Sequence, residues 1–369
     1  MKCDYLSKFM SSSPRRLKVA QFGLGPIGIN AARLAASRQD LQLVGGIDID
    51  PSLAGKSLAE VCGLEGKAGR IYRSFGEMLD NDIRPDVILH TAGSRAAVSL
   101  DQCRPMLEAG LAVVSSCEEL LFPWHRAPVE AEETDAICRR SGGRILGTGV
   151  NPGFVLDLLP VCLSGVCREV RGIRGQRVVN ATTRRQPLQK KIGSGMDPGD
   201  FRLLWREGKA GHAGFQESLL LIAHAMGWEM ESVEENLEPV IAQRRIKTDH
   251  FDVQPGQTCG LHQIVEGRSH DGRRIHLDLK MYLEAPDPHD FVQIEGDPTV
   301  SCRLENGVAG DIATVAALVN CVPRLVAAPA GVRLMTEIPL SGVHKPSHKA
   351  VEEPANAGSI HDSLPHHYD

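Results

Sequence analysis

The stretch Val19-Ala20-Gln21-Phe22-Gly23-Leu24-Gly25-Pro26-Ile27-Gly28 constrains this chain more than any other. A short apolar run suited to a strand leads directly into three glycines spaced as GxGxxG, and the pattern beyond predicts a helix over Pro26–Ser37. Each glycine has a job at such a junction. Gly23 makes the tight turn, Gly25 lets backbone approach a pyrophosphate, and Gly28 allows close helix–strand packing. Pro26 and Ile27 open the helix, whose N-terminal N–H groups and dipole favour a phosphate.

The alternation continues. Strands are predicted at 18–22, 41–47, 86–90, 112–116 and 144–146, with helices at 57–61, 95–109 and 126–140 between them. Strand–helix alternation with short connections predicts an α/β fold whose N-terminal part is a Rossmann doubly wound parallel sheet. Beyond Asn151-Pro152-Gly153 the strands lengthen, to 170–182, 237–246, 258–266 and 274–283, the last two joined at Asp271-Gly272. Helices are expected at 154–164, 200–207 and 215–227. These predict a second α+β domain with a mainly antiparallel sheet. The expected organisation is a flexible arm (1–16), a Rossmann dinucleotide-binding domain (17–153, completed by 310–340), a substrate-binding and dimerisation domain (154–309), and a flexible tail (341–369).

Composition narrows the class. Apolar residues make up 42% and charged residues 24% of 369 positions, which excludes a disordered chain or a collagen. A net charge of −5 lacks the basic field that nucleic acid or a membrane surface would require, so neither is expected as a partner. The apolar run 312–331 is interrupted by Asn320, Pro323, Arg324 and Pro329, which predicts a buried helix rather than a membrane span. Ten cysteines without a CxxC pair predict reduced thiols and a cytoplasmic protein. The chain is also rich in glycine (37) and poor in aromatics (16), so Phe122, Trp124, Phe154 and Trp205 become the rings available to shape an apolar pocket.

Candidate site residues lie at the carboxyl ends of the predicted strands, where ligands of open α/β sheets bind. Asp48 ends the second strand 20 residues after Gly28, placed to accept hydrogen bonds from the adenosine ribose. Its carboxylate favours NAD, Ser52 and Lys56 stand close enough to hold a 2′-phosphate and leave NADP open, and Asp50 is a rival acid. Thr91, Ala92, Gly93 and Ser94 form a small, hydroxyl-rich turn for the nicotinamide ribose; an ordinary turn capped by Ser94 describes the same residues. Next comes Ser116-Cys117-Glu118-Glu119, two adjacent acids at a strand end. One is expected in the cleft, as a general base, and the other at the solvent or at a helix start. Asn151, in the bend after Gly149, offers an amide to the nicotinamide carboxamide or a substrate amine, or serves only as a hinge. On the second domain, Arg177 reads as a surface or interface residue twice as readily as a substrate clamp, and His276 as a strand residue able to face the pocket. No metal is expected, since His224, His262 and His276 lack ligand spacing.

Four ordered motifs carry a resemblance: Phe22-Gly23-Leu24-Gly25-Pro26-Ile27-Gly28, Leu89-His90-Thr91-Ala92-Gly93-Ser94, Ser116-Cys117-Glu118-Glu119-Leu120 and Gly149-Val150-Asn151-Pro152-Gly153-Phe154. Together with the ending Gly310-Asp311-Ile312-Ala313-Thr314, they resemble proteins with a dihydrodipicolinate-reductase-like N-terminal domain, over roughly residues 18–339. Within that group the chain is most similar to native amine dehydrogenases and 2,4-diaminopentanoate dehydrogenases. The resemblance implies NAD or NADP as cofactor and reductive amination of an aldehyde or ketone with ammonia, reversible as oxidative deamination. It puts the acid/base on Glu118 and a pocket amide on Asn151. Cys117 is expected beside the cofactor, and Phe154, Arg177, Met196 and His276 are the candidates on the substrate side. The loop 190–196 is expected to close over the nicotinamide, and the chain to form a homodimer. The His-His…Lys and Asp-Ala-Pro-Ser-Gly-Thr elements of true dihydrodipicolinate reductases are absent, which argues against that reaction. The rivals are an alcohol or amino-acid dehydrogenase on the same scaffold, and a non-catalytic nucleotide-binding protein. A homoserine-dehydrogenase-like enzyme would carry a lysine where Glu118 stands.

Overall fold

The computed structural model describes residues 15–66 and 68–343; residues 1–14 of the expected arm and 344–369 of the expected tail lie outside them. In chain order the first elements are β1 (Leu17–Phe22), α1 (Pro26–Ser37), β2 (Leu41–Ile47), α2 (Leu58–Cys62), β3 (Ile71–Tyr72), α3 (Phe75–Asp80), β4 (Val87–His90), α4 (Ala96–Glu108), β5 (Ala112–Ser115), α5 (Pro128–Ser141) and β6 (Arg144–Gly147). The second region runs α6 (Leu158–Ser164), β7 (Glu169–Asn180), α7 (Gln186–Lys191), α8 (Pro198–Arg206), α9 (Phe215–Met226), β8 (Met230–Ile241), β9 (Ile246–Lys247), β10 (Asp252–Val253), β11 (Thr258–Ser269), β12 (Arg274–Tyr282), β13 (His289–Asp297) and β14 (Val300–Glu305). Then α10 (Gly310–Ala327) and β15 (Gly331–Arg333) follow.

Seven strands form one parallel sheet in the order β15-β6-β5-β4-β1-β2-β3. Its strands are apolar on both faces because helices cover both. Val19, Leu89, Val114 and Leu146 pack towards α10, while their neighbours Ala20, Ile88, Val113 and Ile145 pack beneath α4 and α5. This alternation is the period-two geometry of a strand. The helix α10 returns to this sheet and lies on α1, where Arg38, 3% exposed, donates from Nη1 to Asn320 Oδ1 at 3.0 Å. It is long and apolar enough to cross a membrane by length and composition; here Leu318, Val319 and Val322 are buried in the core beside β5.

The second sheet has six strands, ordered β14-β13-β7-β12-β11-β8, antiparallel except for the pair β7–β12. One face packs on α9 through Leu261, Val265, Leu277, Phe215 and Ile222. The β11–β12 hairpin closes at Asp271-Gly272, with Gly272 at φ +87°.

Several elements depart from the sequence expectation, each for a physical reason. Strand β8 starts at Met230 rather than 237 because it is an edge strand whose first half, rich in Glu, faces solvent. Strand β13 escapes pattern reading because Asp290 sits at an inward position. Directly across on β7 lies Arg177, whose Nη1 donates to both Asp290 oxygens at 2.8 and 2.9 Å. Strands β3 and β15 are two- and three-residue edge strands, too short to show periodicity. Helix α6 starts at Leu158 rather than 154. Buried Asp157 holds the preceding turn by accepting from the Gly153 and Leu158 N–H groups and the Ser218 hydroxyl at 2.6–2.8 Å.

Candidate active site

A cavity of about 410 Å³ opens at the carboxyl ends of β1, β4 and β5, where the strand order reverses, and the second sheet closes its far side. Ile27, Thr91, Gly93, Ser94, Ser116 and Glu118 line it from the first sheet. The glycine loop fits a dinucleotide for reasons visible atom by atom. A Cβ on Gly28 would lie 1.9 Å from the Gly23 carbonyl oxygen, so only glycine lets α1 pack this close. A Cβ on Gly25 would meet nothing within 4 Å, so the loop is open on the side a pyrophosphate would approach. No side chain caps α1, and its N-terminal donors are left for a ligand.

Asp48 sits at the end of β2, where its Oδ2 accepts from Leu24 N–H at 2.7 Å and its Oδ1 from Asp50 N–H at 2.9 Å. It therefore braces the glycine loop while each oxygen keeps a lone pair for a ribose hydroxyl. Asp50 caps its own turn through Ser52 N–H. Beside Asp48, Ile49 is 83% exposed.

The adjacent acids separate cleanly. Glu119 Oε2 accepts from Ala96 N–H at 2.8 Å at the start of α4, and its Oε1 lies 3.9 Å from Arg95. Glu118 lines the cavity, and no hydrogen bond or ion pair from any described residue reaches its carboxylate. Such a group is free to exchange protons with whatever enters. Cys117, just before them, packs its thiol into the core under the sheet, and burial pushes that thiol up to about 12.

The far wall is made of side chains from distant elements. Asn151 and His212 face the cavity together, with Arg177, Arg184 and Lys191 around them. Arg177 is 4% exposed and clamped to Asp290, and its Nη2 donates to the Val308 carbonyl at 2.6 Å. It thereby secures the loop entering α10, which corrects its reading as a surface residue. Arg184 and Arg185 are paired with Asp311 at 3.0 and 3.1 Å. Lys191, at the end of α7, is exposed and forms no ion pair among the described residues.

Other expectations are corrected. His276 lies on the opposite sheet face, its Nδ1 2.8 Å from Glu266 Oε1, because the alternation on β12 turns Leu277 and Leu279 inward and His276 outward. Phe154 is 39% exposed in the turn before α6 and does not reach the cavity wall. Met196 packs into the core of the second sheet, its carbonyl taken by Thr258 N–H. Of the loop 190–196, Lys191 and Ile192 line the cavity. Trp205 belongs to the wall of a neighbouring cavity, and Phe122 and Trp124 pack on each other and on the core near α10. Ala92 flanks the lining residues of its turn. Among the described residues no group of His, Cys, Asp and Glu is arranged to hold a metal. Sequence reasoning passed over His212. Its sole signal, a histidine between glycines in Gly211-His212-Ala213-Gly214, means nothing until the second sheet brings it beside Asn151.

A glycine loop at a sheet switch point, with an unpaired carboxylate in the same cavity, defines a dehydrogenase that uses a nicotinamide dinucleotide, NAD or NADP. Solved structures of this fold hold NAD or NADH. Residues 154–352 match the model of the 2,4-diaminopentanoate dehydrogenase C-terminal domain, and the chain belongs to that family. It is 27% identical to 2,4-diaminopentanoate dehydrogenase of Acetoanaerobium sticklandii over 331 residues, covering 88% of this chain and 94% of the relative. It is 26% identical to the amine dehydrogenase of Streptomyces virginiae over 349 residues, 86% of this chain and 95% of the relative. The solved amine dehydrogenase of Mycobacterium smegmatis shares the fold with a TM-score of 0.79 at 22% identity, over 89% of this chain and 97% of that one. The chain is thus an oxidoreductase acting on amines.

Proposed function

We propose that the protein catalyses reductive amination of a carboxylate-bearing aldehyde or ketone with ammonia, and the reverse deamination, with Glu118 as acid/base. The observation that carries this reading is the Glu118 carboxylate, unpaired in the cavity wall while Glu119 beside it is committed to α4. Glu118 takes a proton from ammonium, the freed nitrogen adds to the carbonyl carbon, and water leaves to give an iminium. The bound dinucleotide supplies the hydride that reduces it. Each turnover consumes one carbonyl, one ammonium, one proton and one NAD(P)H, and releases one water. The ionised carboxylate also stabilises the cationic iminium, more so in a site closed to water.

A carboxylate on the substrate is favoured by Lys191, a cation at the cavity with no acid to answer it. The Acetoanaerobium relative is named for such a substrate. The second face of the six-stranded sheet, with half-buried Gln176, His262 and Gln293 on it, suits a second copy in a homodimer. The nine free cysteines among the described residues suit a reducing cytoplasm. The test is NAD(P)H absorbance with ammonium and paired panels of oxo acids and their uncharged analogues. Ammonium-dependent turnover, faster on the oxo acids, is expected. Turnover without ammonium, or dinucleotide binding with no turnover, would overturn the reading.

A further inference from the structure

The second sheet gives the cavity an apolar floor. Val179 on β7 stands directly opposite Met281 on β12, and Met281 directly opposite Leu261 on β11. All three line the cavity, so they form one strip across three adjacent strands, and Leu188 and Ile192 extend the apolar lining. The neighbouring 211–214 segment is fixed in place. Gln263, two residues beyond Leu261, accepts from the His212 backbone N–H at 2.8 Å and donates to its carbonyl at 3.1 Å. The same amide donates to Glu235 Oε1 at 2.6 Å, so it has no freedom to turn. The Asn151 carbonyl lies 2.8 Å from His212 Nε2, so both backbone carbonyls of this wall already have donors.

The charges around that floor are unequal. Glu118 and Asp311 are the carboxylates that line the cavity, against Arg177, Arg184, Arg185 and Lys191. Asp290 answers Arg177 from outside the cavity, at 2.8 and 2.9 Å. Arg184 and Arg185 divide the two oxygens of Asp311 between them, at 3.0 and 3.1 Å, which leaves that trio with a positive charge. Lys191 adds another, with no ion pair among the described residues. His212 adds none at neutral pH, since burial, with Lys191 and Arg177 nearby, pushes it down to about 4. Only Glu118 is left to answer a cation, and amination commits it to the reacting nitrogen. A substrate carboxylate therefore finds partners here, whereas a second ammonium meets a positive field and no carboxylate of its own.

We infer that the carbonyl substrate is an aliphatic oxo acid whose chain lies on the Val179–Met281–Leu261 strip and carries no second ammonium group, so that this member of the family does not use 2,4-diaminopentanoate. The inference rests on the amination reading of the same site and narrows it. An ammonium brought to the strip loses its water and gains no opposite charge. The carboxylate end is common to a monoamino and a diamino acid, so it does not offset that loss when the two compete.

The pair 4-aminopentanoate and 2,4-diaminopentanoate differs only in the 2-ammonium group. Calorimetric titration of each into the complex with reduced dinucleotide, which cannot oxidise them, reads the discrimination without turnover. The monoamine should bind at least about thirty-fold more tightly. Equal binding, tighter binding of the diamine, or binding of neither overturns the inference. Met281→Glu puts a carboxylate in the middle of the strip and should narrow the gap about ten-fold or more, whereas Met281→Gln, of the same shape without the charge, should leave it. A gap that the two variants change alike also overturns it. A wild-type enzyme with no ammonium-dependent turnover on any oxo acid defeats the amination reading instead, while the titration still reports which amine the cavity holds.

Discussion

The two walls of the cavity are built by different means. On the first-sheet side the shape is set by backbone: three glycines, one brace from Asp48 to Leu24 N–H, and a bare helix end. On the second-sheet side it is set by side chains drawn from β7, α7, the 211–214 segment and the start of α10, held by a buried Arg177–Asp290 pair and the Gln263 clamp. A backbone-built wall recognises what all dinucleotides share. A side-chain wall can change its ligand by changing a few residues.

The difference can be broken from either side. Gly25→Ala puts a methyl into open space where the pyrophosphate would lie. Dinucleotide affinity should fall at least about a hundred-fold with the melting temperature unchanged, whereas Gly28→Ala, whose methyl overlaps the Gly23 carbonyl, should lower both. Calorimetric titration and thermal melts on both variants check this. On the other wall, Lys191→Met should raise the KM for oxo acids by about ten-fold or more and leave uncharged analogues alone. Paired substrate kinetics decide it. Glu119→Gln should keep turnover within about three-fold, costing at most about 1 kcal/mol of stability through its bond to Ala96.

A further effect concerns stability alone. Burial raises Glu217 to about 7 despite its contact with Arg126 at 3.2 Å. Between about 4.5 and about 7 the folded state holds a proton that the unfolded state has lost, so stability falls as pH rises through that window and is level above it. Glu217→Gln should flatten that fall, by about 3 kcal/mol, in denaturant melts across the range.

How far the sequence could be read follows the same division. The boundaries of α1 and β2 are legible because a fully buried parallel strand is a continuous apolar run and the glycine loop punctuates it. Glu118 is legible as one of two acids, but choosing between them needs Ala96 N–H, 23 residues away. Arg177 misleads because a charge on an inward position makes sense only beside Asp290, 113 residues on. His212 and Asn151 are 61 residues apart, and neither residue type points to the other. His276 misleads by one step of register, since a period of two sends neighbours to opposite faces.

The central claim is that the unpaired Glu118 carboxylate performs the acid/base step. Its most direct test is Glu118→Gln, assayed for ammonium-dependent NAD(P)H oxidation at saturating cofactor, with cofactor binding titrated on the same sample. Unchanged cofactor affinity with turnover reduced about 10²- to 10⁴-fold is the expected result. Near-wild-type amination by that variant would contradict the account.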